Sequence, residues 1–346
     1  MHDFEDTILK TVSLHRIGNK PDEEGVRLSQ KTLSLTNDIA LLLSHYFLTP
    51  VKKEVYFNFY DERSLERNVV YNAVSQIFDN PTCLHEQSIA LANHLYEQGE
   101  HPKVKNGDFF VAYFEKCIFD DEEVSAVGLF KSESRDHFLK IYTKDDDCEM
   151  LGDSGINISK LEKACLVFNT QKEDGFVVCV HDATKNAEGG YWMDLFLQLC
   201  ERADEFYFTQ NMMTVCKEYI STQLPEEFEV TKIDQADLLN RSAVFFKEND
   251  SFDIDNFTET VLPDPAATRS FKSFKQGFER ERDITIDNQF DLSEPAMKKH
   301  ARIFKSIIKL DKNFHIYVHG DRDLIQRDYD DEAKMHYYKL MYKFEE

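Results

Sequence analysis

The sequence has little glycine or proline and no long apolar run. Twelve glycines and eight prolines among 346 residues argue against fibrous or low-complexity segments. The longest aliphatic stretch, residues 39–43, is far shorter than the roughly 20 residues that a membrane-spanning helix needs. The acidic amino terminus lacks the basic and apolar regions of a signal peptide. We therefore expect an intracellular, cytoplasmic protein without a membrane segment.

The seven cysteines lack any regular spacing. Their number is odd, they are widely separated, and no Cys-x-x-Cys pair occurs among positions 83, 117, 148, 165, 179, 200 and 216. Several stand in apolar runs, where a free thiol behaves as a small hydrophobic group. This pattern favours reduced thiols in the cytosol over a disulfide framework or a zinc site.

Motifs of the common catalytic and phosphate-binding sites are also missing. Neither Gly-x-Gly-x-x-Gly nor Gly-x-x-x-x-Gly-Lys-Ser/Thr occurs, and there is no Gly-x-Ser-x-Gly or His-Glu-x-x-His. The acidic run 145–149 lacks the glycine and glutamate that an EF-hand loop requires at its sixth and twelfth positions. We therefore predict a protein that is not an enzyme and has neither a cofactor nor a metal site.

One loose pattern keeps an enzymatic alternative open. Asp323, Glu332 and Lys334 have the Asp…Glu-x-Lys arrangement of many metal-dependent nucleases, in which two carboxylates hold Mg²⁺ and a lysine orients water. Because the chain is rich in all three residue types, such a pattern arises easily by chance. A Mg²⁺-dependent nuclease is therefore a distant alternative.

Hydrophobic periodicity predicts an α+β fold of two domains. Apolar residues make up 42% of the chain, enough for a core, and 346 residues exceed the size of most single cores. Between residues 108 and 181, consecutive strand patterns joined by acidic turns predict an antiparallel meander sheet with flanking helices. Helical patterns dominate afterwards, from 191–202 up to a β-hairpin at 311–313. We place an N-terminal α+β domain at 1–188 and a mainly helical domain, ending in the hairpin, at 189–346.

The charge is distributed unevenly along the chain. A net charge of −23 argues against a nucleic-acid partner, because clustered lysine and arginine are needed to neutralise phosphates. Residues 1–265 carry a net charge of −24 and residues 313–346 a net charge of −3, whereas residues 266–312 contain 11 basic and 7 acidic side chains. One short segment is therefore basic in an otherwise acidic protein.

The cations of this segment lie in two neighbouring elements. Phe271, Phe274 and Phe278 recur at helical spacing on one face, so that the cations between them project elsewhere. A second group follows at 298–302, and Lys305 and Lys309 share a face in either a helix or a strand. An ordinary solvated face is the alternative interpretation. We predict phosphate contacts from Arg269, Lys272, Lys275, Lys298, Lys299, Arg302, Lys305, Lys309 and Lys312.

Five segments carry a family resemblance that extends over nearly the whole chain. They are residues 15–20, 128–133, 155–161, 191–197 and 305–320, and their order and length resemble the bacterial nucleoid-associated protein family of the NdpA/YejK type. The resemblance implies a DNA-associated protein of the nucleoid with no assigned catalytic activity. It also supports strands over residues 303–319. It implies a location and a class of partner, but no mechanism.

These observations lead to competing functional hypotheses. The first is a non-catalytic accessory protein of the nucleoid that contacts DNA through residues 269–312 with weak sequence specificity, since backbone contacts position a protein without specifying a sequence. The second is an adaptor whose acidic residues 1–265 recruit a basic nucleoid protein, so that DNA association is indirect. The nuclease is the third. Candidate partners are DNA, nucleoid proteins and a second copy of the chain, with no membrane partner.

The dispersed cysteines predict that a reducing agent leaves the protein unchanged. Without a disulfide there is no covalent link for a thiol reagent to break, so the unfolding midpoint should be the same with and without dithiothreitol. Chemical unfolding under both conditions measures this. A native intramolecular disulfide found by mass spectrometry, together with a loss of stability on reduction, would contradict it.

Overall fold

The computed structural model shows an α+β protein that forms two compact units, residues 1–202 and 203–346. It describes residues 2–51, 55–144, 147–184, 190–262, 264–300, 302–305, 307–311, 313–317 and 324–344. The predicted fold class is confirmed. The predicted domain boundary after residue 188 stays a prediction, because it falls among residues 185–189, outside the described part of the chain.

The N-terminal unit is built on one antiparallel sheet. Its helices are α1 (Asn37–Leu48), α2 (Val69–Asp79) and α3 (Leu84–Gln98), with a π-helix at Tyr191–Leu197. Its strands are β1 (His2–Asp3), β2 (Ile8–Ile17), β3 (Val26–Arg27), β4 (Phe57–Phe59), β5 (Gly107–Phe119), β6 (Glu122–Ser132), β7 (Arg135–Lys144), β8 (Asp147–Ile156), β9 (Lys163–Phe168), β10 (Val177–Asp182) and β11 (Leu199–Glu201). Nine of them form a sheet in the order β11-β4-β10-β9-β6-β5-β2-β3, with β1 beside β5. The predicted antiparallel meander is confirmed.

The central strands β5 and β6 are buried on both faces, which explains their nearly continuous apolar sequence. On one face Leu129 packs in a core with α2 and α3, and on the other Phe110 and Phe130 pack with Phe47 of α1. The rings of Phe47 and Phe130 stack with their centroids 4.2 Å apart. Gly128 stands beside this stack, where a Cβ atom would lie 2.3 Å from the Phe130 ring. A larger residue at 128 would therefore disrupt the layer between sheet and helix.

Two predicted elements differ from those observed. The strand predicted at 138–142 belongs to the longer strand β7, which leaves the sheet and pairs with β8 in a separate two-stranded hairpin, while β9 takes the place beside β6. The helix predicted at 191–202 ends at residue 197, because Gln198 adopts the left-handed conformation with φ 52°. Strand β11 follows immediately and pairs with β4.

Two lysines are buried opposite each other on neighbouring strands, where β6 ends and β9 begins. Lys131 and Lys163 are paired across these strands, and their side chains are each only 1% exposed. Lys131 Nζ donates to Glu133 Oε1 at 2.8 Å and to the Tyr191 hydroxyl at 2.9 Å, and Lys163 Nζ donates to Asp182 Oδ1 at 2.8 Å. Both ammonium groups also lie over the Tyr191 ring, 5.3 and 5.2 Å from its centroid. Each buried cation therefore has its own carboxylate and shares one aromatic ring.

Hydrogen bonds within this network keep the Asp182 carboxyl ionised. Burial alone would favour the protonated form, but hydrogen bonds from Lys163 and Thr184 outweigh burial and lower the pKa of Asp182 below its ordinary value. The carboxylate therefore stays charged at neutral pH, as its pairing with Lys163 requires. A carboxyl with a lowered pKa stabilises the fold at neutral pH and loses that contribution as the pH falls through its folded-state pKa.

The C-terminal unit is mainly helical and ends in two hairpins. Its helices are α4 (Glu205–Glu218), α5 (Leu224–Glu227), α6 (Lys232–Glu248), α7 (Ile254–Val261), α8 (Pro265–Arg282) and α9 (Glu294–Lys299), with a π-helix at Tyr219–Gln223. Its antiparallel strand pairs are β12 (Ser251–Asp253) with β13 (Gln289–Asp291), β14 (Ile307–Leu310) with β15 (Phe314–Tyr317), and β16 (Ile325–Asp330) with β17 (Met335–Leu340). The predicted terminal hairpin is the pair β14 and β15, and a second hairpin follows it. Among the described residues, no helix of either unit is long and apolar enough to cross a membrane.

Aromatic side chains form the core of this second unit. Phe257 of α7 lies at the centre, with ring centroids 5.2 Å from Phe245 of α6, 5.3 Å from Phe252 of β12 and 5.5 Å from Phe271 of α8. All four side chains are buried. They position α6, α7 and α8 against one another and so determine which face of α8 is left for solvent.

All seven cysteines carry free thiols. Burial raises the pKa of Cys117 to about 11 and raises the pKa of Cys165 and Cys216 well above the ordinary value. Buried thiols of this kind stay protonated at neutral pH and are poor nucleophiles. Cys148, on β8, is exposed.

Replacing Lys131 with methionine should destabilise the N-terminal unit strongly. The change keeps most of the side-chain volume but leaves the buried Glu133 carboxylate without its ammonium partner, and breaking such a pair costs about 3–5 kcal/mol. Lys140→Met is the control, because its pair with Asp153 is nearly half exposed and such pairs contribute at most about 1 kcal/mol. Urea unfolding followed by the fluorescence of Trp192, the single tryptophan and fully buried, measures both. Equal unfolding midpoints would show that the buried pair is not a major source of stability.

Candidate nucleic-acid interface

Helix α8 presents two unpaired arginines to solvent. Its apolar side chains Phe271 and Phe278 are buried, as their helical spacing predicts. Arg269 and Arg280 lie three turns apart on the opposite face and are exposed. Arg280 Nε donates to the backbone oxygen of Gln276 at 3.2 Å, and within the described residues neither arginine forms an ion pair with a carboxylate. Both guanidinium groups are therefore available to an external anion.

Lys275 of the same helix does not share this face, and its predicted phosphate contact stays a prediction. It lies one turn from both Phe271 and Phe278 on the buried side, and its side chain is 7% exposed. Its Nζ donates to Glu279 Oε1 at 2.9 Å and to the backbone oxygen of Ile286 at 2.7 Å. The ammonium cannot reach a phosphate without breaking both bonds, so Lys275 is a structural residue in this conformation.

Lys272 lies beside an acidic cleft. Its Nζ donates to the Asp255 carboxylate, and the cleft, of about 560 Å³, is also lined by Asp253, Glu279 and Asp287. A phosphate approaching Lys272 would meet these carboxylates. The charge of Lys272 is therefore already compensated within the protein, and its predicted phosphate contact stays a prediction.

The cations at the end of α9 have mixed surroundings. Lys298 is exposed and pairs with Glu294 one turn earlier, with Nζ 2.5 Å from Oε1. Lys299 Nζ lies 5.0 Å from the centroid of the Phe206 ring, a favourable cation–π position. Arg302 is exposed, and in the part of the chain that the structure describes it has no carboxylate partner. Of these three cations, Arg302 is the most available to a ligand.

The hairpin of β14 and β15 has one buried and one exposed face. Ile308 of β14 is 4% exposed and packs with Ile233 and Ala236 of α6. Because side chains alternate across a strand, Lys309 and its cross-strand partner His315 project from the opposite face. Both are exposed, as is Lys305 just before the hairpin. This packing leaves Lys305 and Lys309 free for contacts outside the protein.

Tyr317 and Ile307 complete the exposed face of the hairpin. They are paired across the strands, and Tyr317 is 55% and Ile307 37% exposed. An exposed tyrosine beside a lysine and a histidine offers stacking and hydrogen bonding as well as charge. Reasoning from charge identified Lys309 but missed His315 and Tyr317, although the alternation of residues 314–317 would have placed both on the same face once the strand register was known.

The remaining residues that the sequence singled out are Lys312, Asp323, Glu332 and Lys334. Lys312 and the nuclease-pattern residue Asp323 lie outside the described residues. Glu332 and Lys334 stand in the turn between β16 and β17, where the Glu332 N–H donates to Asp330 Oδ1 at 2.9 Å and Lys334 has φ 51°. Among the described residues, no group of three or more His, Cys, Asp or Glu side chains is arranged to hold a metal ion.

Comparison with known proteins gives a family match. The family described as nucleoid-associated protein YejK matches residues 13–335. No curated protein matches the chain. The matched range includes the sheet apart from β1 and the first half of β2, together with the buried lysine pair, the basic segment and the hairpin of β14 and β15.

Replacing Lys275 with methionine should destabilise the C-terminal unit. The change leaves the backbone oxygen of Ile286 and the Glu279 carboxylate without their donor, which costs on the order of 3 kcal/mol. Arg269→Met on the exposed face of α8 is the matched control and should leave stability nearly unchanged. Urea unfolding followed by circular dichroism measures both. A Lys275→Met variant as stable as the wild type would return Lys275 to the list of candidate DNA contacts.

Proposed function

The chain belongs to the nucleoid-associated protein YejK family, and on that premise we propose that it is a non-catalytic DNA-binding accessory protein of the nucleoid. The observation that carries the proposal is the outer face of the β14–β15 hairpin. There Lys309, His315 and Tyr317 face solvent because the opposite face is buried against α6. Family membership supports the nucleoid-associated role, and the hairpin supplies a surface with the charge that DNA requires.

The cations without carboxylate partners define the proposed contact residues. Arg302, Lys305 and Lys309 are exposed along one short segment, and Arg269 and Arg280 are exposed on α8. A cation that already pairs with a carboxylate must give up that partner before it neutralises a phosphate, so the unpaired cations contribute more to binding. We place the main contacts at Arg302, Lys305 and Lys309, with weaker contributions from Lys298 and Lys299.

The overall charge constrains the affinity and specificity of the proposed binding. A net charge of −23 repels DNA at long range, so the affinity should be modest even at low salt. Phosphate contacts fix a protein on DNA but do not read its sequence. We therefore propose weak sequence specificity, a location in the nucleoid of the cytoplasm, and no membrane partner.

A second candidate function is favoured by the acidic majority of the chain. Residues 1–265 carry a net charge of −24, which suits a basic protein partner better than DNA. In that case the chain is an adaptor of the nucleoid and its DNA association is indirect. The two functions differ in one measurable property, the affinity of the pure protein for DNA.

Removing the unpaired cations of the hairpin region should flatten the salt dependence of DNA binding. Each neutralised phosphate contributes about −0.9 to the slope of log affinity against log salt, so the triple change of Arg302, Lys305 and Lys309 to alanine should reduce the slope by up to about 2.7. Fluorescence anisotropy with labelled duplexes of two unrelated sequences, at several salt concentrations with and without Mg²⁺, measures this. Binding should weaken equally for both sequences.

The control removes the same charge from paired positions. Lys10, Lys20 and Lys172 each form an ion pair with a nearby carboxylate, so their triple change to alanine should leave the slope nearly unchanged. An unchanged slope in the Arg302, Lys305 and Lys309 variant would overturn direct contact through the hairpin region. No affinity of the pure wild type for either duplex would favour the adaptor. Mg²⁺-dependent cleavage that is lost on replacing Glu332 and Lys334 would establish the nuclease.

A further inference from the structure

The hairpin of β7 and β8 forms an arm that stands apart from the nine-stranded sheet. Its ten paired positions run from Arg135 opposite Ile156 to Lys144 opposite Asp147, and among the described residues neither strand pairs with any other strand. An isolated two-stranded hairpin is at best marginally stable in water. The arm therefore needs stabilisation from its root or from a surface that covers it.

The root of the arm is firmly attached to the sheet. Glu133, which joins β6 to β7, pairs with buried Lys131, and its N–H donates to Glu162 Oε2 at 2.9 Å. At the first pair of the arm, Arg135 forms an ion pair with Asp108 of β5, with nitrogen and oxygen 2.6 Å apart. These contacts hold the start of β7 where it leaves the sheet, so the arm projects in a defined direction.

The two faces of the arm differ sharply in chemistry. Cross-strand partners share a face, so the register divides the residues into a charged face and an uncharged face. The charged face contains Phe138, Lys140, Tyr142, Glu149, Leu151 and Asp153. The uncharged face contains, beyond the root pair of Arg135 and Ile156, the residues His137, Leu139, Ile141, Thr143, Cys148, Met150, Gly152 and Ser154.

The uncharged face is apolar and exposed. Leu139, Ile141 and Met150 are 66%, 67% and 61% exposed. Beyond Arg135 at the root, which forms an ion pair with Asp108, the face has no lysine, arginine or carboxylate. Contiguous exposed apolar side chains of this kind mark an interaction surface. Because the exposed part of the face has no cation, DNA is an unsuitable occupant and the partner must itself be apolar.

This face is complementary in shape to the same face of a second copy related to it by a two-fold rotation. Leu139 lies directly across from Gly152, and at Gly152 no heavy atom lies within 4 Å of the position that a Cβ would occupy. If a second arm is stacked on this face with the two-fold axis parallel to the strands, β7 of one copy lies over β8 of the other. Each Leu139 then sits above the open space at the Gly152 of its partner copy, and both contacts form at once, as an isologous interface requires.

The charged side chains of the arm do not enter such an interface. Lys140, Glu149 and Asp153 lie on the opposite face, so they stay in solvent when two uncharged faces meet. Association therefore buries no unpaired charge, which would be costly.

We propose that the uncharged face of the arm is a self-association surface, occupied by the same face of a second copy of this chain. Strands of ten residues give a face about 34 Å long, and with a width of about 10 Å each copy would bury on the order of 340 Å². The total is below the roughly 1,200 Å² of stable complexes, so the dimer is weak and concentration-dependent. The proposal does not depend on DNA binding.

A matched pair of leucine substitutions tests which face of the arm mediates self-association. Leu139→Gln changes the uncharged face and Leu151→Gln the charged face, and both leucines are more than half exposed on the same arm. Sedimentation velocity over a wide range of protein concentration should show dimer formation by the wild type and by Leu151→Gln. Leu139→Gln should weaken association by at least about tenfold, because each dimer loses two buried leucines. A wild type that remains monomeric at every concentration, or equal weakening by both variants, would overturn the proposal.

A second variant separates association from folding of the arm. Gly152→Val places its side chain in open space and adds a residue that favours strands, so the monomer should fold at least as well as the wild type. It also fills the space that Leu139 of the second copy would occupy, and should therefore reduce association. Unchanged association in this variant would refute the stacked arrangement.

The exposed thiol of Cys148 gives an independent readout at the same face. In the wild type, its rate of alkylation by iodoacetamide should fall as the protein concentration rises, because the second copy covers it. In Leu139→Gln the rate should not depend on concentration. If the wild type dimerises but Cys148 reacts at a constant rate, the dimer uses another surface and the proposal is wrong.

Discussion

The burial of Lys131 and Lys163 opposite each other is the constraint around which the N-terminal unit is arranged. Two cations facing across paired strands repel each other, and in a low-dielectric interior each needs its own anion. Glu133 and Asp182 supply the anions, and the Tyr191 ring lies within reach of both ammonium groups. One cluster therefore joins β6, β9, β10 and the helix at Tyr191–Leu197, and through Glu133 it also fixes the root of the arm.

Local periodicity was sufficient to predict the long central strands of the sheet, but not its short strands β1, β4 and β11 or the partners of each strand. Residues 109–114 and 126–130 are apolar or aromatic throughout because the parts of β5 and β6 that they form are covered on both faces, and that signal is visible in the sequence. The alternating pattern of 138–142 fits a strand in any half-exposed setting, so it did not show that β7 leaves the sheet. The helical spacing of 191–197 was likewise real, but the left-handed turn at Gln198 has no equivalent in hydrophobic periodicity.

The same distinction between local and distant information applies to the proposed DNA-binding surface. The position of Lys275 could have been read from the sequence, because it lies one turn from both Phe271 and Phe278 on the buried side of α8. The compensation of Lys272 could not, since Asp255 belongs to another helix and becomes its partner only in the folded chain. Charge counting therefore finds the basic segment, whereas folding decides which cations remain unpaired.

Each of the two proposed surfaces would bind its partner weakly. Because both lie on one chain, binding at one surface would affect binding at the other. On the two proposals, a small arm interface would leave the protein largely monomeric when dilute, and a few phosphate contacts opposed by a net charge of −23 would give modest affinity for DNA. Copies bound to the same DNA would be close together, so the effective concentration that drives arm pairing would rise. Paired copies would in turn hold DNA through two sets of contacts. The two proposed activities would therefore reinforce each other on DNA, while either surface alone would remain readily reversible.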